Sequence, residues 1–193
     1  MKRPVDRVCW WGKLPTRGDF AGRGLPAGWR SDWDGWLQRG LALAAATLEG
    51  EVLRERLGAF APWRYVALTA SGEVWCGIFV ASHDRVGRAF PLTLVERVGD
   101  VGSTLQAARL ASLLDAAAAG PDALEAAIAA MPPRSGETRI SSEALPTPPA
   151  SLWWPLTAAH DAPPRVAAWP PEPQLLLDLL APQPAAHQIA SAE

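Results

Sequence analysis

Cysteine is scarce in this chain, with two residues, Cys9 and Cys76, in 193. Two thiols exclude a disulfide framework, and their spacing fits no metal-ligand pattern; they read as reduced, buried side chains. Histidine is as rare. His83, His160 and His187 form no HxxxH or HExxH arrangement, and no Cys-x-x-Cys is present, so the zinc motifs are missing. Lysine occurs only as Lys2 and Lys13. No stretch reaches the ~18 uninterrupted apolar residues of a membrane helix. The Lys2-Arg3 start is followed by no apolar run, so no signal peptide is read and a cytoplasmic protein without membrane insertion is expected. Tyrosine appears once and phenylalanine four times, yet tryptophan appears ten times. Tryptophan is the largest apolar side chain with a polar handle, so these ten positions are expected to dominate the core and any interface.

The remaining composition is that of a globular protein, with 49% hydrophobic and 20% charged residues. The length fits one domain. Net charge is −2, which argues against a nucleic-acid partner. The charge divides unevenly. Residues 1–100 hold 14 Lys+Arg against 11 Asp+Glu, and residues 101–193 hold 4 against 9, so the front half permits an anionic partner.

Val8–Trp11 reads as a short buried strand running into a turn-rich loop with Gly12, Pro15 and Gly18. Pro26 suits the first turn of a helix to about Leu48. In it Trp29, Trp33, Trp36, Leu37, Leu41, Ala44 and Leu48 recur at helical spacing, a stripe expected to face the core. A brief second helical piece around Val52–Leu57 follows. Segments 63–69, 73–81 and 89–98 alternate as strands with tight connections, an antiparallel meander. Helices are expected over 103–119 and 121–131, a short strand over Thr138–Ser141, and one or two helical turns over 174–180. Between Leu145 and Pro173 nine prolines in 29 residues exclude regular helix. This segment is expected to pack on a domain spanning 1–180, anchored by Trp153 or Trp154, one buried and the other partly exposed because neighbours on extended chain point oppositely. Residues 181–193 read as a flexible tail.

Ser82, His83 and Asp84 are adjacent, but chain neighbours rarely form a catalytic relay because the roles must converge in space. No GxSxG or GxxxxGK[ST] motif is present. Two glycine-bearing loops carry the remaining chemistry. Lys13, Arg17 and Arg23 with Gly12, Gly18, Gly22 and Gly24 make one cationic loop, which also holds Asp19 and Phe20; Asp84, Arg85 and Arg88 around Gly87 form the other. Accessible backbone donors and arginine forks in such loops suit an anion or a protein partner. The alternative is that Asp19 and Asp84 pair with the arginines and merely shape the turns.

Trp11-Gly12-Lys13-Leu14-Pro15-Thr16-Arg17-Gly18-Asp19-Phe20 resembles the opening signature of the TagF (ImpM) family of type VI secretion accessory proteins. Arg23-Gly24-Leu25-Pro26, Trp33-Asp34-Gly35-Trp36-Leu37, Asp84–Arg88 followed by Phe90-Pro91-Leu92-Thr93, and Ser151–Trp154 fit as well. The resemblance implies an α/β (α+β) sandwich, a mainly antiparallel sheet flanked by helices on both faces in a single domain. It implies a bacterial, cytoplasmic, non-enzymatic regulator that represses type VI secretion after translation; with the zinc motifs missing, no cofactor or metal is expected. Its partners would be type VI secretion components, a forkhead-associated scaffold protein among them. The alternatives are a structural accessory of the secretion assembly, or a hydrolase of a phosphorylated or acyl substrate using the cationic loop. Under the leading reading Lys13–Phe20 and Asp84–Arg88 meet the partner, while Trp33, Trp36, Trp153 and Trp154 anchor the structure.

Overall fold

A computed structural model describes residues 8–98, 105–132, 146–159 and 162–182. Seven strands form one antiparallel sheet: β1 (Cys9–Gly12), β2 (Ala21–Arg23), β3 (Trp63–Leu68), β4 (Val74–Val80), β5 (Leu92–Val98), β6 (Ala150–Pro155) and β7 (Arg165–Ala168), in the order β2-β1-β5-β4-β3-β6-β7. Among the described residues the helices are α1 (Ala27–Thr47), α2 (Gly50–Ala59), α3 (Leu105–Ala111), α4 (Leu114–Ala119), α5 (Pro121–Ala130) and α6 (Pro173–Leu179). They lie on both faces of the sheet, the expected α+β sandwich in a single domain.

Period-two alternation sorts the strand residues between the two faces of the sheet, one of which carries a second cluster of Val66, Leu68, Val74, Cys76, Val98, Leu152 and Trp154. Trp11, Trp63, Tyr65, Trp75, Phe79, Val95 and Trp153 join one cluster with Trp29, Trp33 and Trp36 of α1 and Leu175, Leu176 and Leu179 of α6. Trp10, Ile78, Val80, Leu92 and Leu94 meet Leu110, Leu124 and Ile128 on the other face. Trp33 is the hub of the first core. Its ring stacks on Tyr65 at 5.3 Å and on Trp153 at 6.3 Å, and meets Trp36 edge-on at 4.9 Å. Such pairs contribute beyond the area they bury. Helix α6 is tied down by indole donors: Trp36 Nε1 donates to the Glu172 carbonyl at 3.2 Å and Trp63 Nε1 to the Leu179 carbonyl at 3.1 Å.

The proline-rich segment does more than lie on the domain, because it supplies two strands. β6 runs antiparallel to β3 with Val66 opposite Leu152, and β7 extends the sheet beyond it. The four prolines at positions 163, 164, 170 and 171 fall between elements, where a missing N–H breaks no ladder. Trp153 and Trp154 point to opposite faces as expected, but both are buried. Trp154 is covered on the second face, where its Nε1 donates to the Ala162 carbonyl at 2.8 Å and the Arg64 guanidinium lies 5.5 Å above its ring. Arg64 in turn donates to the carbonyls of Ala158 and Ala159, fastening the chain that follows β6.

Other boundaries shift. The helix expected over 103–119 is interrupted at Ser112–Leu113 between α3 and α4. The third strand begins at Leu92 rather than 89, after Pro91. β2 replaces part of the expected loop. The strand expected at Thr138–Ser141 and tail residues 183–193 lie outside the described residues.

Candidate functional site

β1 and β4 both run antiparallel to β5, so their C-terminal ends emerge together at one end of the sheet. The loop after β1 and the loop between β4 and β5 therefore meet. At the exit of β1, Gly12 takes φ +148°, and a side chain there would collide with the Pro91 carbonyl. The absent side chain lets the two strands' ends approach. Lys13 and Leu14 then turn inward and are buried, and a bond from Arg17 N to the Leu14 carbonyl at 2.9 Å closes the turn. Arg17, Gly18, Asp19 and Phe20 are left exposed before the chain returns as β2.

The second loop is wound around the Asp84 carboxylate, which is fully buried. Its Oδ1 accepts from the backbone N–H of Val86 at 3.1 Å and of Arg88 at 2.9 Å. Its Oδ2 accepts from Lys13 Nζ at 3.0 Å and Arg88 Nε at 2.7 Å. Burial alone would raise the Asp84 pKa; the bonds from the Arg88 backbone, Lys13, the Arg88 side chain and the Val86 backbone outweigh it and hold the group well below the usual carboxylate range. Gly87, at φ +82°, makes the tight turn, with its N–H donating to the Asp84 carbonyl at 2.9 Å.

Three further bonds join the loops. The Arg85 N–H donates to the Arg17 carbonyl at 2.8 Å, Arg88 Nη2 to the Gly18 carbonyl at 2.8 Å, and Ser82 Oγ to the Lys13 carbonyl at 2.7 Å. Phe20 folds back on this clamp. It stacks on Trp11 at 5.8 Å, meets Phe90 edge-on at 4.6 Å, and carries Lys13 Nζ 5.3 Å from its ring centre.

The nine residues singled out from the sequence thus fall into one place but at two depths. Lys13 and Asp84 lie beneath the surface, with Arg88 spanning from Asp84 to Gly18. Above them Arg17, Asp19, Phe20, Arg85 and Gly87 are exposed. The expected pairing of Asp19 with an arginine is replaced by a bond from the Phe20 N–H to Asp19 Oδ1 at 2.7 Å. Among the described residues Arg17 and Arg85 make no side-chain ion pair. Three large hydrophobic side chains are exposed there, Phe20, Val86 and Val166, and the first two sit in these loops. Ser82, His83 and Asp84 do not converge: the Ser82 hydroxyl is spent on Lys13, and the four donors to Asp84 come from Lys13, Val86 and Arg88.

Beside the ridge runs an open groove of about 740 Å³ along the β2 edge, walled by Arg17–Arg23, Arg30 and the start of α5. Sequence reasoning missed its supports. Trp11 Nε1 donates to Asp34 Oδ1 at 2.6 Å while the Arg30 guanidinium lies 3.5 Å above the Trp11 ring. Glu125 accepts from Trp10 Nε1 at 2.8 Å and pairs with Arg23 at 2.9 Å. The only sequence signal for these contacts was the tryptophans themselves.

Residues 9–139, which include every loop residue described above, match the TagF N-terminal domain, type VI secretion system-associated. The chain belongs to the TagF family. Strands β6 and β7 and helix α6 lie beyond the matched TagF residues, yet they complete the same sheet and core. The fold is similar to that of PA0076 from Pseudomonas aeruginosa PAO1, known from its crystal structure, with a TM-score of 0.67 and 25% identity over 93% of this chain and 96% of that one. Among curated proteins, none matches the chain. Among the described residues no helix is long and apolar enough to cross a membrane.

Proposed function

We propose that this TagF-family chain is a non-enzymatic cytoplasmic regulator that represses assembly or firing of type VI secretion after translation, by binding a protein of the machine through the paired loops. The observation that carries this reading is the division of the loops into a buried clamp and an exposed crest. Lys13, Asp84 and Arg88 spend their charge on each other and on backbone, so they give shape. Arg17 and Arg85 keep free forks, and Phe20 and Val86 offer apolar surface beside them. Arginine and aromatic side chains on a rigid support are the residues that carry most interface energy. A rigid crest also loses little conformational entropy on binding. The partner class implied by the family resemblance is a forkhead-associated scaffold protein.

The test is an Arg17→Ala/Arg85→Ala double variant, checked for an unchanged melting temperature and then assayed for repression of type VI secretion and capture of the scaffold protein. The proposal expects both activities to fall in a folded variant. Full repression by that variant would overturn it.

A further inference from the structure

The arrangement around Gly18 goes further and indicates the chemistry of the partner. The Arg85 guanidinium lies across Gly18, with Nη2 3.8 Å from where a Cβ at that position would stand. Arg88 reaches the same residue from the other loop through its bond to the Gly18 carbonyl. Two guanidinium groups thus meet at Gly18, with Arg17 beside it in the chain. Within the two loops four cations, Lys13, Arg17, Arg85 and Arg88, face two carboxylates, Asp19 and Asp84. Asp84 is buried and consumed by Lys13 and Arg88, and Asp19 binds its neighbour's N–H. The surplus positive charge therefore stands at the crest. Beside it Val86 is 68% exposed and Phe20 43% exposed.

We infer that the Gly18 crest receives an acidic segment of a partner protein, an Asp or Glu carboxylate on the arginine forks with an adjacent apolar side chain over Val86 and Phe20. This rests on the reading of the loops as an interface. Planar guanidinium forks match a carboxylate bidentately, and complementary charge would speed and orient the encounter. The apolar neighbours favour a peptide over a free phosphate or a lipid headgroup, neither of which would cover Val86.

The test is titration of the ¹⁵N-labelled protein with a peptide of alternating Glu and Leu, with its Gln–Leu counterpart, with inorganic phosphate, and with phosphatidylserine vesicles, all at one ionic strength. The Glu–Leu peptide is expected to move the amide and side-chain resonances of Arg17, Gly18 and Arg85–Arg88. Binding should weaken by at least roughly tenfold for the Gln–Leu peptide and for Arg17→Glu/Arg85→Glu, a loss of ~1.4 kcal/mol or more. Equal binding of both peptides, no binding, or stronger effects from phosphate or vesicles would each overturn the inference. Repression in cells separates it from the reading beneath. Wild-type repression by Arg17→Glu/Arg85→Glu together with lost repression by Phe20→Ser/Val86→Ser would keep the interface and overturn the acidic partner. Wild-type repression by both would overturn the interface itself.

Discussion

Lys13 and Asp84 stand 71 positions apart in the chain and meet at 3.0 Å with both residues buried. The pair joins the end of β1 to the loop after β4 and so makes one surface out of two loops. Removing one partner of a buried pair strands the other charge. Asp84→Asn is therefore expected to fold with a clearly lowered melting temperature. The crest substitutions Arg17→Ala and Arg85→Ala remove no side-chain partner and should change stability by no more than about 0.5 kcal/mol. Calorimetry on the three variants checks the contrast, and equal destabilisation by all three would contradict it.

The depressed pKa of Asp84 sets the pH at which its contribution fades. An ordinary aspartate titrates at about 3.9. A group held lower in the folded state contributes its full share above the unfolded value and loses it as pH falls toward the folded value. The stability difference between the parent protein and Asp84→Asn should hold constant from neutral pH to about pH 5 and shrink progressively below it. Urea titrations at a series of pH values measure this; a difference already collapsing at pH 6 would contradict it.

The tryptophan core gives a larger effect. Trp33 and Trp153 are 1% and 0% exposed and stack through Tyr65. Truncating either to alanine should cost about 3–5 kcal/mol. Val166→Ala on the exposed edge strand β7 should stay within about 0.5 kcal/mol. Chemical unfolding of the three variants checks the ranking.

Gly12 and Gly87 both have positive φ but differ in surroundings. Nothing lies near a Cβ at Gly87, so Gly87→Ala should cost only the backbone term, about 1–2 kcal/mol. At Gly12 the Pro91 carbonyl stands in the way and belongs to backbone, which cannot rotate aside. Gly12→Ala should destabilise more than Gly87→Ala and should broaden or shift the resonances of both loops. Equal costs would show that the strand ends part easily.

Local signals were legible and non-local ones were not. The α1 stripe from Trp29 to Ala44 and the β3–β4 strands announced themselves through spacing and a short connection. β6 did not, because its pairing with β3 joins Val66 to Leu152, and prolines on either side masked a strand whose Ser151–Trp154 core contains none. The burial of Trp154 comes with Arg64 over its ring and Ala162 accepting from its indole, neither of which marks itself in sequence. At the site, loop composition pointed to the right residues. It could not tell Asp84, wrapped by four donors, from Asp19 at the surface, because the turn that folds Val86 and Arg88 onto Asp84 and the strand pairing that brings Lys13 beneath it are both set by the folded chain.

The most direct test of the interface places a photo-crosslinking amino acid at Val86 or at Val166 in cells that assemble a type VI secretion system. Both positions are exposed valines, 68% and 63%, but Val166 lies on β7 at the edge of the sheet opposite β2. The account predicts a crosslink to a type VI secretion component from position 86, lost in Arg17→Glu/Arg85→Glu, and none from position 166. A crosslink from 166 alone, or one from 86 that survives the charge reversal at full strength, would contradict it.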